Sequence, residues 1–221
     1  MRRSPAYLWA KHLIDDPAAG VVMGVVFRDD QFIPIQGHYG STWRGDRTKA
    51  GAGTLLEHSI HDVDMLRVLV GEIERVSTHV TNFHGHDGIE DVATATVRFA
   101  NGALGTLASV WHDNLARPSL RRIEVFCARR QIVIEGDDWY GPVSWTDNSG
   151  GSRSLVGDEL SAAVARLNDG LQNPDGELVR AVLAGTAASP DFSDALQAHR
   201  VIDAMYASAA ADGASVEVSR G

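Results

Sequence analysis

Apolar residues recur along this chain with two different periods, and the switch between them separates helical from extended stretches. In residues 5–15, Leu8, Trp9, His12 and Leu13 fall at three- and four-residue spacing. This predicts a short helix presenting that face, with Ser4 as N-cap, Pro5 at the first helical position and Asp16-Pro17 at its end. The β-branched run 21–28 predicts a strand. Residues 34–53 follow neither period and hold His38, Tyr39, Trp43, Arg44 and Lys49. An aperiodic stretch of that length is more often functional than idle. Residues 54–70 carry the strongest helical pattern, an apolar stripe of Leu55, Leu56, Ile60, Val63, Leu66, Val68 and Leu69. Thr54 is available as its cap and Gly71 as its stop.

From residue 72 to about 146 the period becomes two. Val76, Thr78 and Val80 alternate, as do Ala93, Ala95, Val97 and Phe99, and Asn101-Gly102 predicts a hairpin joining 92–100 to 103–111. A second pair, 122–128 and 131–135, meets across Arg129-Arg130; Gly136-Asp137 then leads to an extended piece around Val143-Ser144-Trp145. Residues 147–153 read as an exposed loop. Helical periods return at 175–184 and 191–210, with Ser189-Pro190-Asp191 as a start signal, and 214–218 can form a last short strand. The expected class is α+β: one domain over 1–221, with a largely antiparallel or mixed sheet of about six strands and helices on one face.

Composition narrows the partners. A chain of 221 residues, 44% hydrophobic and 22% charged, is of the globular kind, and no apolar run approaches a membrane span. A net charge of −9 argues against nucleic acid, whose phosphates need a cationic surface. Cys127, the single cysteine, suits a reducing cytoplasm and reads as a small buried hydrophobe. Lys11 and Lys49 are the only lysines.

Glu57 and His61 are four apart on the helix expected over 54–70, on a face other than that of Leu56, Ile60, Val63 and Leu66. A carboxylate beside an imidazole can take a proton from a hydroxyl, with Glu57 orienting the ring or holding the substrate. The same spacing also describes a surface ionic pair, and on spacing alone both readings stand. His58, His61, Asp62 and Asp64 invite a metal reading, yet their order matches neither helical zinc-protease pattern, so no metal site is expected. Asp62 and Asp64 read as a helix-surface charge and a loop-capping carboxylate. His79, His84 and His86 read as loop histidines. Trp43, Trp111, Trp139, Tyr140 and Trp145 could stack on sugar faces or simply pack.

Taken together, four segments resemble the Gfo/Idh/MocA oxidoreductases, the family of glucose–fructose oxidoreductase and inositol dehydrogenase. Residues 51–71, from Gly51-Ala-Gly-Thr-Leu-Leu-Glu57 through His61-Asp-Val-Asp64 to Gly71, resemble its Gly-rich-to-helix signature. Trp43-Arg44 ahead of Lys49-Ala50-Gly51, the hairpin 90–107 and the helix 189–206 agree in order. The resemblance implies hydride exchange between NAD or NADP and the CH–OH carbon of a sugar, inositol or related polyol. In it Glu57 and His61 face the substrate beside the nicotinamide. Lys49, Trp43, Arg44 and His58 help frame it. It further implies a homodimer or tetramer through the open face of the sheet. Many members carry Asp where Glu57 stands.

The family's Gly-rich phosphate-binding turn and its Glu-Lys-Pro segment do not occur here. The expectation is therefore the substrate-binding, oligomerising domain of such an enzyme. A missing N-terminal domain or a separate Rossmann-domain chain would supply the dinucleotide site, and cofactor binding by this polypeptide alone is physically implausible. The alternative is a non-catalytic sugar-binding or dimerisation module.

Overall fold

Alternation decides the sheet. The computed structural model describes residues 1–136, 140–167 and 173–219; Asp137 and Trp139 lie outside the described residues. In β3 (Val92–Phe99) Ala93, Ala95, Val97 and Phe99 are buried while Thr94, Thr96 and Arg98 face outward. β5 (Leu120–Cys127) buries Arg121, Ile123, Val125 and Cys127 in the same rhythm. These strands join β1 (Val22–Phe32), β2 (Ile73–Thr81), β4 (Leu104–His112), β6 (Arg130–Glu135), β7 (Val143–Asp147), β8 (Ser152–Leu155) and β9 (Val216–Glu217). The order across the sheet is β8-β7-β6-β5-β1-β4-β3-β2-β9. Every neighbouring pair is antiparallel except β1 and β4, which run parallel with Gly24 opposite Leu104.

The α+β class with a mostly antiparallel open sheet is as expected, but among the described residues the sheet has nine strands rather than about six. β8 occupies part of the stretch expected as a loop, where Ser144 and Thr146 meet Ser154 and Ser152 through hydroxyl hydrogen bonds. β1 runs on past residue 28 because Asp29 and Gln31 point inward and bond to one another.

The helices are α1 (Pro5–Asp15), α2 (Arg47–Ala50), α3 (Thr54–Glu57), α4 (Ile60–Leu69), α5 (Gly157–Leu167), α6 (Pro174–Ala184) and α7 (Phe192–Ala210). α1 packs on β6 and β7, α3 on β3 and β4, and α7 on β2 and β9. The core lies between these helices and the sheet, with Phe27, Phe99, Leu66 and Met205 fully enclosed. Each such side chain contributes roughly 1.5–3 kcal/mol. Gly105 sits where a Cβ would fall 2.7 Å from Val25 and 2.8 Å from Val97, so only glycine lets β4 lie this close to its neighbours.

Three helical expectations shift. α1 buries Ala6, Tyr7, Ala10, Leu13 and Ile14, not the face of Leu8, Trp9 and His12, and the Ser4 hydroxyl makes no cap bond. The helix expected over 54–70 is interrupted at His58-Ser59. The Ser59 amide reaches back to Thr54 O at 2.9 Å, one residue farther than a regular helical bond. α5 falls where no helix was expected, covering Leu160 and Val164 against the core. The start of α7 follows its signal: Asp191 and Asp194 form a reciprocal capping box.

Candidate active site

The helix start that carries the site is seated by one buried acid. Glu90 accepts from the amides of Gly53 and Leu55, both at 2.9 Å, and from the Tyr206 hydroxyl at 2.8 Å. Thr54 does not cap its own helix; its hydroxyl meets Ser109 of β4 at 2.7 Å. A Cβ on Gly53 would stand 1.9 Å from the Glu90 carbonyl, so glycine is required for α3 to dock here.

Beyond this anchor, Glu57 and His61 line one cavity of about 610 Å³, together with Leu56, Ile60, Asp64 and His199. Leu56 and Ile60, half-buried against the core, therefore also reach this wall beside the polar pair. The break at His58-Ser59 lets both pairs face the same space. Met1 to Arg3, and Asp191 and Asp194 of α7, complete the rim. Arg2 holds Asp64 with two hydrogen bonds, at 2.7 and 2.8 Å, and reaches Asp194 at 3.1 Å.

Glu57 is not free. Arg44 Nε donates to Glu57 Oε1, while Arg44 Nη1 bonds to the Ser41 hydroxyl at 2.7 Å and its guanidinium lies 4.6 Å from the Trp43 ring. His61 is exposed toward the cavity mouth. Enough protein surrounds its ring that desolvation is the first cause holding its pKa below the usual histidine value; the charge of His58 adds to this and Asp64 opposes it. A ring kept neutral is a proton acceptor.

The other sequence candidates take different places. His58 turns inward to Asp29 and Arg121 and does not line the cavity. Lys49 pairs with Asp46 at 3.1 Å on the exposed side of α2. Trp43 is 45% exposed and reaches the site through Arg44. Trp111 and Trp145 are core residues. His84 bonds to Asp91 at 2.6 Å. Cys127 is buried, and burial pushes its thiol pKa up. Among the described residues no group of three or more His, Cys, Asp or Glu side chains is placed to hold a metal ion. No described helix is long and apolar enough to cross a membrane.

The sequence reading missed a buried cluster below the cavity. Asp62, expected on the helix surface, is fully buried, and Arg121 Nε donates to it at 3.2 Å. Arg121 also donates to Asp29 at 3.0 Å. The available signal was charge inside alternating runs, at Asp29 and at Arg121.

A dinucleotide needs a seat for its pyrophosphate, normally a helix N-terminus with free amides. Of the helices beside this cavity, α6 has its first amides closed by Asn173, and α7 by Asp191. The cavity rim adds the carboxylates of Glu57, Asp64 and Asp194, and its arginines are already paired, Arg2 with Asp64 and Asp194 and Arg3 with Glu177. Neither α6 nor α7, with its first amides closed, offers a pyrophosphate seat here.

Comparison with known proteins agrees with this fold. Levoglucosan dehydrogenase of Pseudarthrobacter phenanthrenivorans is 28% identical over 135 residues, 48% of this chain and 33% of that protein. Myo-inositol 2-dehydrogenase of Thermotoga maritima is 35% identical over 98 residues, 41% of this chain and 28% of that one. Among solved structures, an oxidoreductase domain protein from Kribbella flavida superposes with a TM-score of 0.82 at 25% identity, covering 99% of this chain and 64% of that one. Levoglucosan dehydrogenase in complex with NADH and levoglucosan superposes with a TM-score of 0.79 at 22% identity, again over 99% and 64%. The matched segments thus span about a third of the curated relatives, and the fold about two thirds of the solved chains. Residues 7–133 match the family model of the GFO/IDH/MocA C-terminal domain, and the chain belongs to that family.

Proposed function

We propose that this chain is the substrate-facing part of an NAD(P)-dependent oxidoreductase acting on the CH–OH group of a sugar, inositol or related polyol. The observation that carries the reading is the shared cavity wall of Glu57 and His61. The names of relatives that act on levoglucosan and myo-inositol support the substrate class. In such an oxidation the carbinol carbon gives a hydride to the nicotinamide and its hydroxyl gives up a proton. Only the proton is a task for the residues here. His61, neutral and open to the cavity, accepts it, and returns it in the reverse direction. Glu57, fixed by Arg44, accepts a hydrogen bond from a neighbouring substrate hydroxyl and so orients the reacting one. Trp43 steadies Arg44, with Lys49 farther out on α2. The dinucleotide is held by a separate unit.

The test joins a family dinucleotide-binding domain ahead of residue 3 and measures NAD(P) reduction across a panel of polyols. His61→Ala is expected to lose about 10²- to 10⁴-fold in turnover. An active chimera that keeps full turnover without the imidazole would sink the acid–base role.

A second reading, a non-catalytic dimerisation or sugar-binding module, has its own support. The sheet face opposite the helices holds a groove of about 620 Å³ lined by Val26, Thr96, Leu104, Thr106 and Phe126, with Leu104 61% exposed. Such a face is best covered by a second copy, giving a homodimer or tetramer. Sedimentation shows the assembly, and self-association without any polyol binding would favour this reading. With Cys127 as the single, buried cysteine, we place the protein in a reducing cytoplasm.

A further inference from the structure

Below the cavity wall lies a charge cluster that the proton step does not itself use. Asp29 of β1 and Arg121 of β5 are register partners across adjacent strands. Arg121 Nη2 donates to Asp29 Oδ2 at 3.0 Å, and His58 Nε2 approaches the same oxygen at 3.0 Å from the break between α3 and α4. Gln31 donates to the other Asp29 oxygen at 2.8 Å. Burial works against the ionised form of Asp29, but His58 and Arg121 outweigh it and hold the carboxyl well below the usual range.

Asp62 is placed differently. Its Oδ1 accepts from Arg121 Nε at 3.2 Å, and its carboxyl also shares a side-chain hydrogen bond with that of Asp29. Burial, then the charge of Asp29, raises its pKa well above the usual carboxylate value, so it holds its proton to higher pH than an ordinary carboxyl. Asp29 and Arg121 face each other as an ion pair, and His58, against the same Asp29 oxygen, is the imidazole of this cluster. Burial pulls its pKa down, the bond to Asp29 lifts it, and the lift wins.

Building on the acid–base reading of His61, we infer that His58, anchored on Asp29, is a positioning residue that takes up a proton before His61 does and leaves His61 free to accept one from substrate. His58 and His61 are joined through the backbone, the His61 amide donating to the His58 carbonyl at 3.2 Å. A cation so close makes a second proton on His61 costly. Around His58 stand Asp29 on β1, Arg121 on β5 and Asp62 on α4, with Tyr7 of α1 behind Arg121. Around His61 stand Asp64, Arg121, Glu57 and the Met1 amino group, with Asp194 and His199 across the cavity on α7.

The experiment is a pH titration of the ring-labelled histidines of the intact chain by NMR, in the native protein, in His58→Gln and in Asp29→Asn. Glutamine keeps an N–H for Asp29 and carries no charge at any pH. The native protein is expected to titrate His58 above His61, and His58→Gln to move the His61 midpoint upward. Asp29→Asn should bring the His58 midpoint down. The reverse order in the native protein, or an unmoved His61 midpoint in folded His58→Gln, overturns the inference. Should a variant fail to fold, the native order alone decides. None of these readings needs turnover, so failure of the proposed reaction, read in the chimera, is separable from failure of this coupling.

Discussion

Arg44 and Glu57 are joined across the gap between an irregular loop and the short helix α3, with the guanidinium of Arg44 lying against the Trp43 ring. The acid of the candidate pair is thus delivered already paired, in a fixed orientation. Arg44→Met should weaken polyol binding by about tenfold, the equivalent of about 1.4 kcal/mol. Both partners keep some exposure, so the loss in folding stability should stay below about 1 kcal/mol. Calorimetric titration beside urea unfolding separates the two. Equal losses in binding and in folding would count against a site role for this pair.

The two buried acids should respond in opposite ways to loss of charge. Arg121→Met leaves Asp29 ionised and without its main cation, at a cost of about 3–5 kcal/mol in urea unfolding. Asp62→Asn removes a group that is already neutral and keeps an acceptor for Arg121 Nε, so its cost should stay below about 1 kcal/mol. Equal costs would mean that both acids carry charge.

Asp62 also sets a pH dependence. Its pKa in the fold lies far above its unfolded value, so as pH rises past the ordinary carboxylate range the unfolded chain releases this proton while the fold retains it. That contribution destabilises the protein progressively until the pH reaches the folded pKa. Relative to the native chain, Asp62→Asn should therefore gain stability as pH climbs from about 4 toward neutrality. A difference between the two proteins that stays flat over that window would contradict the assignment.

Gly53→Ala should prove costly for a chain position that looks like an ordinary helix start. Its Cβ would meet the Glu90 carbonyl at 1.9 Å, and that atom is backbone and held in place. A loss of about 3 kcal/mol is expected, at the upper end of the usual overpacking range. Thermal unfolding measures it, and an unchanged midpoint would show that α3 can dock without this close approach.

Much of this was legible before any coordinates. The alternation at 92–100 and 103–111, the Asn101-Gly102 turn and the Asp191 start of α7 are local signals, and each produced the element it announces. Glu57 and His61 read equally well as a surface pair on type and spacing, and it is the resemblance over residues 51–71 that points to them as a candidate site. What stayed hidden depends on distant partners. Nothing near Asp62 announces Arg121, which lies 59 residues away along the chain. The stop at His58-Ser59 breaks no hydrophobic period, since Leu55 and Val63 remain buried on either side of it. Leu56 and Ile60 pack on the core as expected and also line the cavity, which no period announces. β8 is invisible to apolar patterning because hydroxyls, not aliphatic side chains, meet across it.

The interruption after Glu57 means that the two halves of the site stand on separate footings. The acid's segment is bolted to β3 and β4 through Glu90 and Ser109, whereas the imidazole's segment is moored to β5 by way of Asp62. A substitution that loosens one footing would therefore displace one of the two side chains and leave the other where it is.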